Sequence, residues 1–378
     1  MQGIARVLAS FVLPSVAFSI TQTSGAAVTV VREEAYTQPD TRELVLHSQS
    51  LERDFVVLVS APSGPFVEAG KKLPAIYALD GGFGIAGPIG QVMSWSGSMA
   101  PAYVVSLSYP PGDQHRNHDL LHRPVSTDGV NIGGGGEAFA KFVIRELRPF
   151  LESRFPLDPD NAILLGHSLG GLFTANVLAN SPESFAGFVI ASPSTGADPN
   201  ITSAMQAVAD RGRGRRVFIA AGQYESSIVG NADRMAKALS GGTSTFDVVN
   251  VVYADATHVS YWPDLVPAAF RHVLPAANKS PTKRVAVTLE KGQLDRIAGA
   301  YSIGDGRMLA ITLRGSRVYA TLAGTPETEI LAESPQKFFS PVDGFDVTFT
   351  FEGSDTAPAQ AVVVSLNGAK TRAVRASR

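Results

Sequence analysis

The 378-residue chain is 44% hydrophobic and 17% charged, carries a formal net charge of −2 and contains no cysteine. This composition is globular and has room for one large domain and a small one. It offers no electrostatic drive toward nucleic acid, and it excludes disulfides, thiolate metal sites and cysteine catalysis.

In chain order, Arg6 precedes an apolar, uncharged stretch at 7–20, and polar and small residues come next at 21–27. The pattern predicts a secretory signal over 1–26, cut after Ala26 or near Ala17. It implies a periplasmic or secreted protein with no stable membrane insertion once the signal is removed. Pro14 interrupts the stretch, which is short for a membrane span. Residues 28–32, 42–47 and 55–60 alternate like strands at a sheet edge, with a turn at Pro62-Ser63-Gly64-Pro65. Two buried strands come after it. The first, 74–79, ends in Asp80-Gly81-Gly82-Phe83-Gly84; the second, 102–108, ends in Tyr109-Pro110-Pro111-Gly112. Residues 137–154 read as a helix with Phe139, Phe142, Val143, Leu147, Phe150 and Leu151 on one face, kinked at Pro149. Strands at 162–165, 186–191, 216–221 and 247–253 alternate with helical patterns. That argues for an α/β fold, a mostly parallel sheet wrapped by helices.

The pattern changes after Leu274. Residues 276–284 suit a linker, and 285–378 hold short alternating segments at 309–313, 318–322, 345–351 and 361–366. Gly315, Gly324, Gly344, Gly353 and Gly368 punctuate them, which predicts a small antiparallel β domain or barrel.

The chemistry centres on 162–172. An apolar run, Ala162 to Leu165, leads into Gly166-His167-Ser168-Leu169-Gly170, a G-x-S-x-G, with Leu172, Ala175, Leu178 and Ala179 beyond it at helical spacing. A strand-to-helix turn of this kind lifts a serine above a sheet, and its small residues let the backbone bend tightly. A serine hydroxyl is a weak nucleophile and needs a neighbouring base. Of seven histidines only His258 and His272 come after Ser168. His258 lies just after the strand 247–253, at the carboxyl end of the sheet, whereas His272 lies on an amphipathic helix at 264–274. His258 is therefore the expected base. Glu225, beyond the strand 216–221, is the expected acid that orients it; Asp255 and Asp233 are the alternatives. The amide of Leu169 and one from the glycine loop, Gly82 before Phe83, are the expected oxyanion donors.

His115, His118 and His122, with Asp113 and Asp119, form a cluster that reads better as a loop than as a metal site, and the serine chemistry requires no metal or cofactor. Arg211, Arg213, Arg215 and Arg216 read as a solvated turn before a strand. Trp95, Tyr109, Tyr224 and Trp262 are candidates for an aromatic pocket, and the loops at 83–100, 109–136 and 195–206 are where selectivity is expected.

Leu79-Asp80-Gly81, Arg116 with Asp119-Leu120, Gly133-Gly134-Gly135, Gly166 to Gly171, Ser192-Pro193-Ser194, Gly222 with Glu225, and His258 occur in that order. Over roughly 30–275 the set resembles the putative esterase family of α/β-hydrolases, which includes the enterobactin and salmochelin siderophore esterases. The resemblance implies an α/β-hydrolase catalytic domain at 27–275, with Ser168 as nucleophile and His258 as base. It also implies a substrate-binding role for Arg116, joined in this reading by Phe83 and Tyr224. The β domain at 285–378 is similar to small lipocalin-like appendages of some secreted hydrolases. The expected activity is hydrolysis of a small-molecule carboxylic ester through an acyl-enzyme on Ser168, siderophore-type lactones among the substrates. Thioester hydrolysis, peptide cleavage, acyl transfer, or ligand binding on a silent scaffold are the alternatives. No oligomeric state is read from the sequence.

Overall fold

The computed structural model describes residues 36–376, apart from 65, 69, 128, 277–283, 305, 342–346, 355–356 and 367–368. The expected signal, the strand at 28–32, nearly all of the linker, and Gly344 and Gly368 lie outside the described residues.

The first strands are β1 (Thr41–Ser48) and β2 (Arg53–Ser60), an antiparallel pair. Next come β3 (Leu73–Ala78), α1 (Ala86–Ser96), β4 (Tyr103–Ser108), the single-turn α2 (Arg116–Leu120), and a small hairpin of β5 (Val125–Thr127) and β6 (Val130–Ile132). After these are α3 (Gly136–Phe142), α4 (Arg148–Arg154), β7 (Leu157–His167), α5 (Leu169–Asn180), β8 (Gly187–Ala191) and α6 (Ile201–Gln206). The last are β9 (Arg216–Gly222), α7 (Ser226–Ser240), β10 (Asp247–Tyr253) and α8 (Trp262–Val273). Eight strands form one sheet in the order β1-β2-β4-β3-β7-β8-β9-β10. Pairs from β4 to β10 are parallel, and β1 and β2 add an antiparallel edge.

The apolar strands are continuous because both faces are covered. In β7, Leu164 joins the cluster that includes Phe139 of α3, Leu172 of α5 and Met235 of α7. Its neighbours Ile163 and Leu165 join the opposite cluster, with Met93 of α1 and Leu265 of α8. From β3 the chain steps to β4 on one side and then returns to β7 on the other. The loops leaving β3 and β7 therefore diverge, which opens the crevice where ligands bind in such sheets.

The helix expected at 137–154 has three parts: α3, a π-turn at Val143–Leu147, and α4. The irregularity lies ahead of Pro149 and not at it. Proline has no N–H for the carbonyl four residues back and its ring needs room there, which the wider π-turn supplies. The extra residue in that turn also rotates α4 about its axis, so Leu151 is buried while Phe150, expected on the inner face, is 40% exposed.

Beyond the linker, α9 (Lys291–Ile297) starts from a capping box of Glu290 and Gln293. Eight antiparallel strands come after it: β11 (Gly299–Ile303), β12 (Met308–Arg314), β13 (Arg317–Leu322), β14 (Thr328–Ala332), β15 (Lys337–Phe339), β16 (Val347–Glu352), β17 (Ala361–Leu366) and β18 (Ala369–Arg375). Each pairs with the next, and β18 returns to β11 to close a barrel. The sequence pattern marks β12, β13, β16 and β17. It does not mark β11, β14, β15, which has three residues, or β18, whose Lys370, Thr371 and Arg372 blur the alternation.

Candidate active site

Ser168 occupies the turn between β7 and α5 with φ 59° and ψ −119°, a conformation that L-residues rarely adopt. Neighbouring backbone holds it there: Ser168 N–H donates to Ala191 O at 3.0 Å, and Ser194 N–H donates to Ser168 O at 3.1 Å. A Cβ on Gly166 would sit 2.0 Å from Gly170 O, and one on Gly171 would sit 2.5 Å from Ala191 O. At Gly170 the nearest atom, Asp80 Oδ2, is 3.3 Å away. Close packing thus demands glycine at 166 and 171 more strictly than at 170, the last position of the pentapeptide. The half-buried Ser168 hydroxyl lies 3.2 Å from Ser194 Oγ. Among the described residues no hydrogen bond joins it to His258. Leu169 is the first residue of α5, so its amide has no carbonyl within the helix to bond.

His258 sits beyond β10 in a loop pressed onto the end of β9. A Cβ on Gly222 would lie 2.6 Å from both Ala256 O and Thr257 O, so only glycine admits that loop. Glu225, one turn past Gly222, points its carboxylate back into the gap, and its side chain is 7% exposed. One oxygen, Oε1, pairs with His258 Nδ1. The other accepts from Gly222 N–H at 2.7 Å and from Ser192 Oγ at 2.5 Å. Ser192 has one hydroxyl proton and gives it to the carboxylate, so Tyr261 OH must donate to Ser192 Oγ. Burial works to raise the Glu225 carboxyl, but the bonds from His258, Ser192 and Gly222 outweigh it and hold the group below the usual carboxylate range. A carboxylate only accepts, so Nδ1 of His258 carries the proton and Nε2 is left as the basic nitrogen.

His167 braces the same loop. Its Nε2–H donates to His258 O at 2.6 Å, and the two rings lie 4.5 Å apart between centroids. Burial, and next the neighbouring His258, push His167 down to about 4, so it is neutral near pH 7. Phe83 packs edge-on against His167 at 5.4 Å and against Trp262 at 4.9 Å, and is 44% exposed beside the serine turn.

The other expected residues are distributed unevenly. Asp255 accepts from Tyr224 OH at 2.9 Å and Asp233 pairs with Lys237, so neither competes with Glu225 for His258. Tyr224 is 63% exposed beside Asp255. Gly82 departs from its expected role: residues Asp80–Gly84 run through five consecutive left-handed conformations, and Gly82 N–H is taken up by Leu79 O at 3.0 Å. Arg116 grips Asp80, not Asp119, through two hydrogen bonds of 2.5 and 2.8 Å, and Asp80 in turn lies against Gly170 of the elbow. Asp119 is fully buried against Arg53 and Tyr109.

Of the four aromatics, Trp262 backs Phe83 and Tyr224 lies against the loop that carries His258, but the other two are elsewhere. Tyr109 packs with Phe55 and Phe139, and Trp95 lies beside Gly64, because 86–96 is helix α1 and not an open loop. In the histidine cluster, His115 pairs with Asp113, His118 with Asp119, and His122 stacks near Phe173. Arg211 and Arg216 pair with Glu183 and Asp247, and Arg215 holds Phe185 O. Sequence reasoning missed the roles of His167, Ser192 and Tyr261. The signal available for Ser192 was its place just after a buried strand.

A parallel sheet with an antiparallel edge, a strained serine turn after a central strand, and a histidine paired with a buried acid after later strands define an α/β-hydrolase. Residues 48–293 match the family described as "Putative esterase", and the chain belongs to that family. It is 29% identical over 177 residues to the ferri-bacillibactin esterase BesA of Bacillus subtilis, covering 42% of this chain and 60% of that protein. It is 31% identical over 144 residues to a siderophore enterobactin esterase of Emericella nidulans, covering 33% of this chain and 48% of that one. The chain thus spans less than two thirds of the length of these curated relatives. Among solved structures it resembles the BES protein of Bacillus cereus, with a TM-score of 0.58 at 22% identity over 65% of this chain and 99% of the other. It also resembles the siderophore hydrolase EstB of Aspergillus nidulans, with a TM-score of 0.53 at 20% identity over 67% and 100%. These likenesses show the fold.

Proposed function

We propose that this protein is a serine hydrolase that cleaves carboxylic esters of siderophore type through an acyl-enzyme on Ser168. The observation that carries the reading is the Glu225–His258 pair, with both oxygens of the acid engaged and Nε2 of the histidine left basic. On substrate binding the Ser168 hydroxyl turns from Ser194 toward Nε2, a contact that apo sites often leave unmade. His258 takes the proton as Oγ attacks the ester carbonyl, and Glu225 stabilises the imidazolium. The Leu169 amide receives the oxyanion. His258 returns the proton to the leaving alcohol, and water then releases the acid by the same steps in reverse.

Family membership and the names of the relatives support ester cleavage; the siderophore class rests on those names. Arg116, fixed by Asp80 beside the elbow, offers its remaining N–H groups to an anionic or phenolic substrate. Export, expected from residues 1–26, is part of the proposal and is checked by fractionating cells that express the full chain. The decisive experiment is labelling with a fluorophosphonate, wild type beside Ser168→Ala, with the modified peptide mapped. Label on Ser168, absent in the variant, together with turnover of catecholate trilactones, is expected. No label on folded protein would overturn the nucleophile assignment and favour a binding role.

A further inference from the structure

The barrel contains a cavity lined by its own residues. Its volume is about 430 Å³, within the roughly 300–1,000 Å³ span of small-molecule sites. An eight-stranded barrel is just wide enough either to be filled by side chains or to hold one small ligand. Here the two ends differ.

One end is filled. Leu294 and Ile297 of α9 insert among Tyr301, Phe338, Phe351 and Ala373, all buried. Arg375 closes that end: its Nη1 donates to Ala298 O and its Nη2 to Arg296 O and Tyr301 OH, each at 2.8 Å. The guanidinium also lies 4.9 Å over the Tyr301 ring. Toward the other end the inward side chains shorten or spread apart. Leu309, Ala320 and Phe349 form the floor, and Leu322, Val347 and Val364, only half-buried, form the wall. Hydroxyl groups gather at the rim: Thr325, Thr328 and Thr371. Inward positions on a closed barrel normally complete a core. Here they line a space bounded by apolar walls, with hydroxyls at its mouth.

We propose that this cavity is a binding site for a small amphiphile with an apolar body and a polar, hydrogen-bonding head, such as a medium-chain carboxylate. The apolar body would lie over Ala320 and Phe349, and the head would stay at the rim. The site is independent of the Ser168 reading.

The test titrates the full chain with 1-anilinonaphthalene-8-sulfonate and displaces the dye with laurate. One saturable site per chain, displaced by laurate and unchanged in Ser168→Ala, is expected. Ala320→Phe fills the cavity and is expected to weaken binding at least tenfold while circular dichroism and the thermal transition stay as in the wild type. Leu322→Trp is read alongside, because the chain's two tryptophans, Trp95 and Trp262, lie outside the barrel. Laurate is expected to shift the added emission, and this decides the matter even if Ala320→Phe fails to fold. No saturable binding, binding unaffected by a folded Ala320→Phe, or an emission in Leu322→Trp indifferent to laurate would overturn the proposal.

Discussion

The sheet that carries Ser168 and the barrel treat backbone strain in opposite ways. Eight described non-glycine residues have positive φ, and all precede residue 275. Five of them, Asp80, Phe83, Ser168, Ser192 and Asp255, lie in loops at the carboxyl ends of β3, β7, β8 and β10. In the described barrel the positive-φ positions are all glycines, such as Gly315 and Gly324 in the turns after β12 and β13. Each non-glycine left-handed residue costs on the order of 1–2 kcal/mol and persists only where its surroundings over-determine it. The hydrolase half gives up part of its packing energy to aim side chains. The barrel meets its turn requirements with residues that need no compensation.

Substitutions in the two halves should separate them, the largest effect coming from the proposed nucleophile. Ser168→Ala is expected to lower ester turnover by roughly 10⁵-fold with the fold intact, measured under saturating substrate. Glu225→Gln keeps the shape but removes the charge and the tautomer control, and a fall of roughly 10³–10⁴-fold in kcat is expected. Laurate binding by the barrel should be unchanged in both, and its loss would merge the two regions into one functional unit.

Backbone substitutions test the strain argument directly. Gly166→Ala drives a Cβ into Gly170 O and is expected to destabilise by more than about 3 kcal/mol in chemical denaturation, or to prevent folding. Gly315→Ala, also at positive φ but with open space around its Cβ, is expected to cost only about 1 kcal/mol. Equal losses at the two sites would refute the distinction.

Acid should also act on the sheet half. His167 and His122 are held near 4 by burial, against about 6.5 when unfolded. Between those values the unfolded chain binds more protons, so stability falls as pH drops from about 6.5 toward 4. The His167 share is on the order of 3 kcal/mol. His167→Gln is expected to flatten the pH dependence of Tm across that window by about half; an unchanged slope would show that burial of His167 does not control it. Glu225 adds a further loss at lower pH, as the pH falls through its depressed folded value.

Much of this was legible in one dimension. Strands β7 to β10 are apolar runs bounded by helical patterns, and the pentapeptide around Ser168 marks the turn. Chain order left His258 and His272, and the place of His258 just after a strand selected it, because a parallel sheet puts every strand's carboxyl end on one side. Those are consequences of periodicity and steric permission at glycine. Which polar groups meet was settled only by folding in three dimensions. Glu225 was chosen over Asp255 and Asp233 by Gly222, which admits the His258 loop within reach of the buried carboxylate. The Gly82 amide was withdrawn by a local left-handed turn, and Arg116 was committed to Asp80 across 36 positions of sequence. The barrel's closure depends on β18 finding β11 about 70 residues back, and its cavity depends on side-chain size at facing positions. Such pairings are set by distances in space, and a sequence pattern carries no record of those distances.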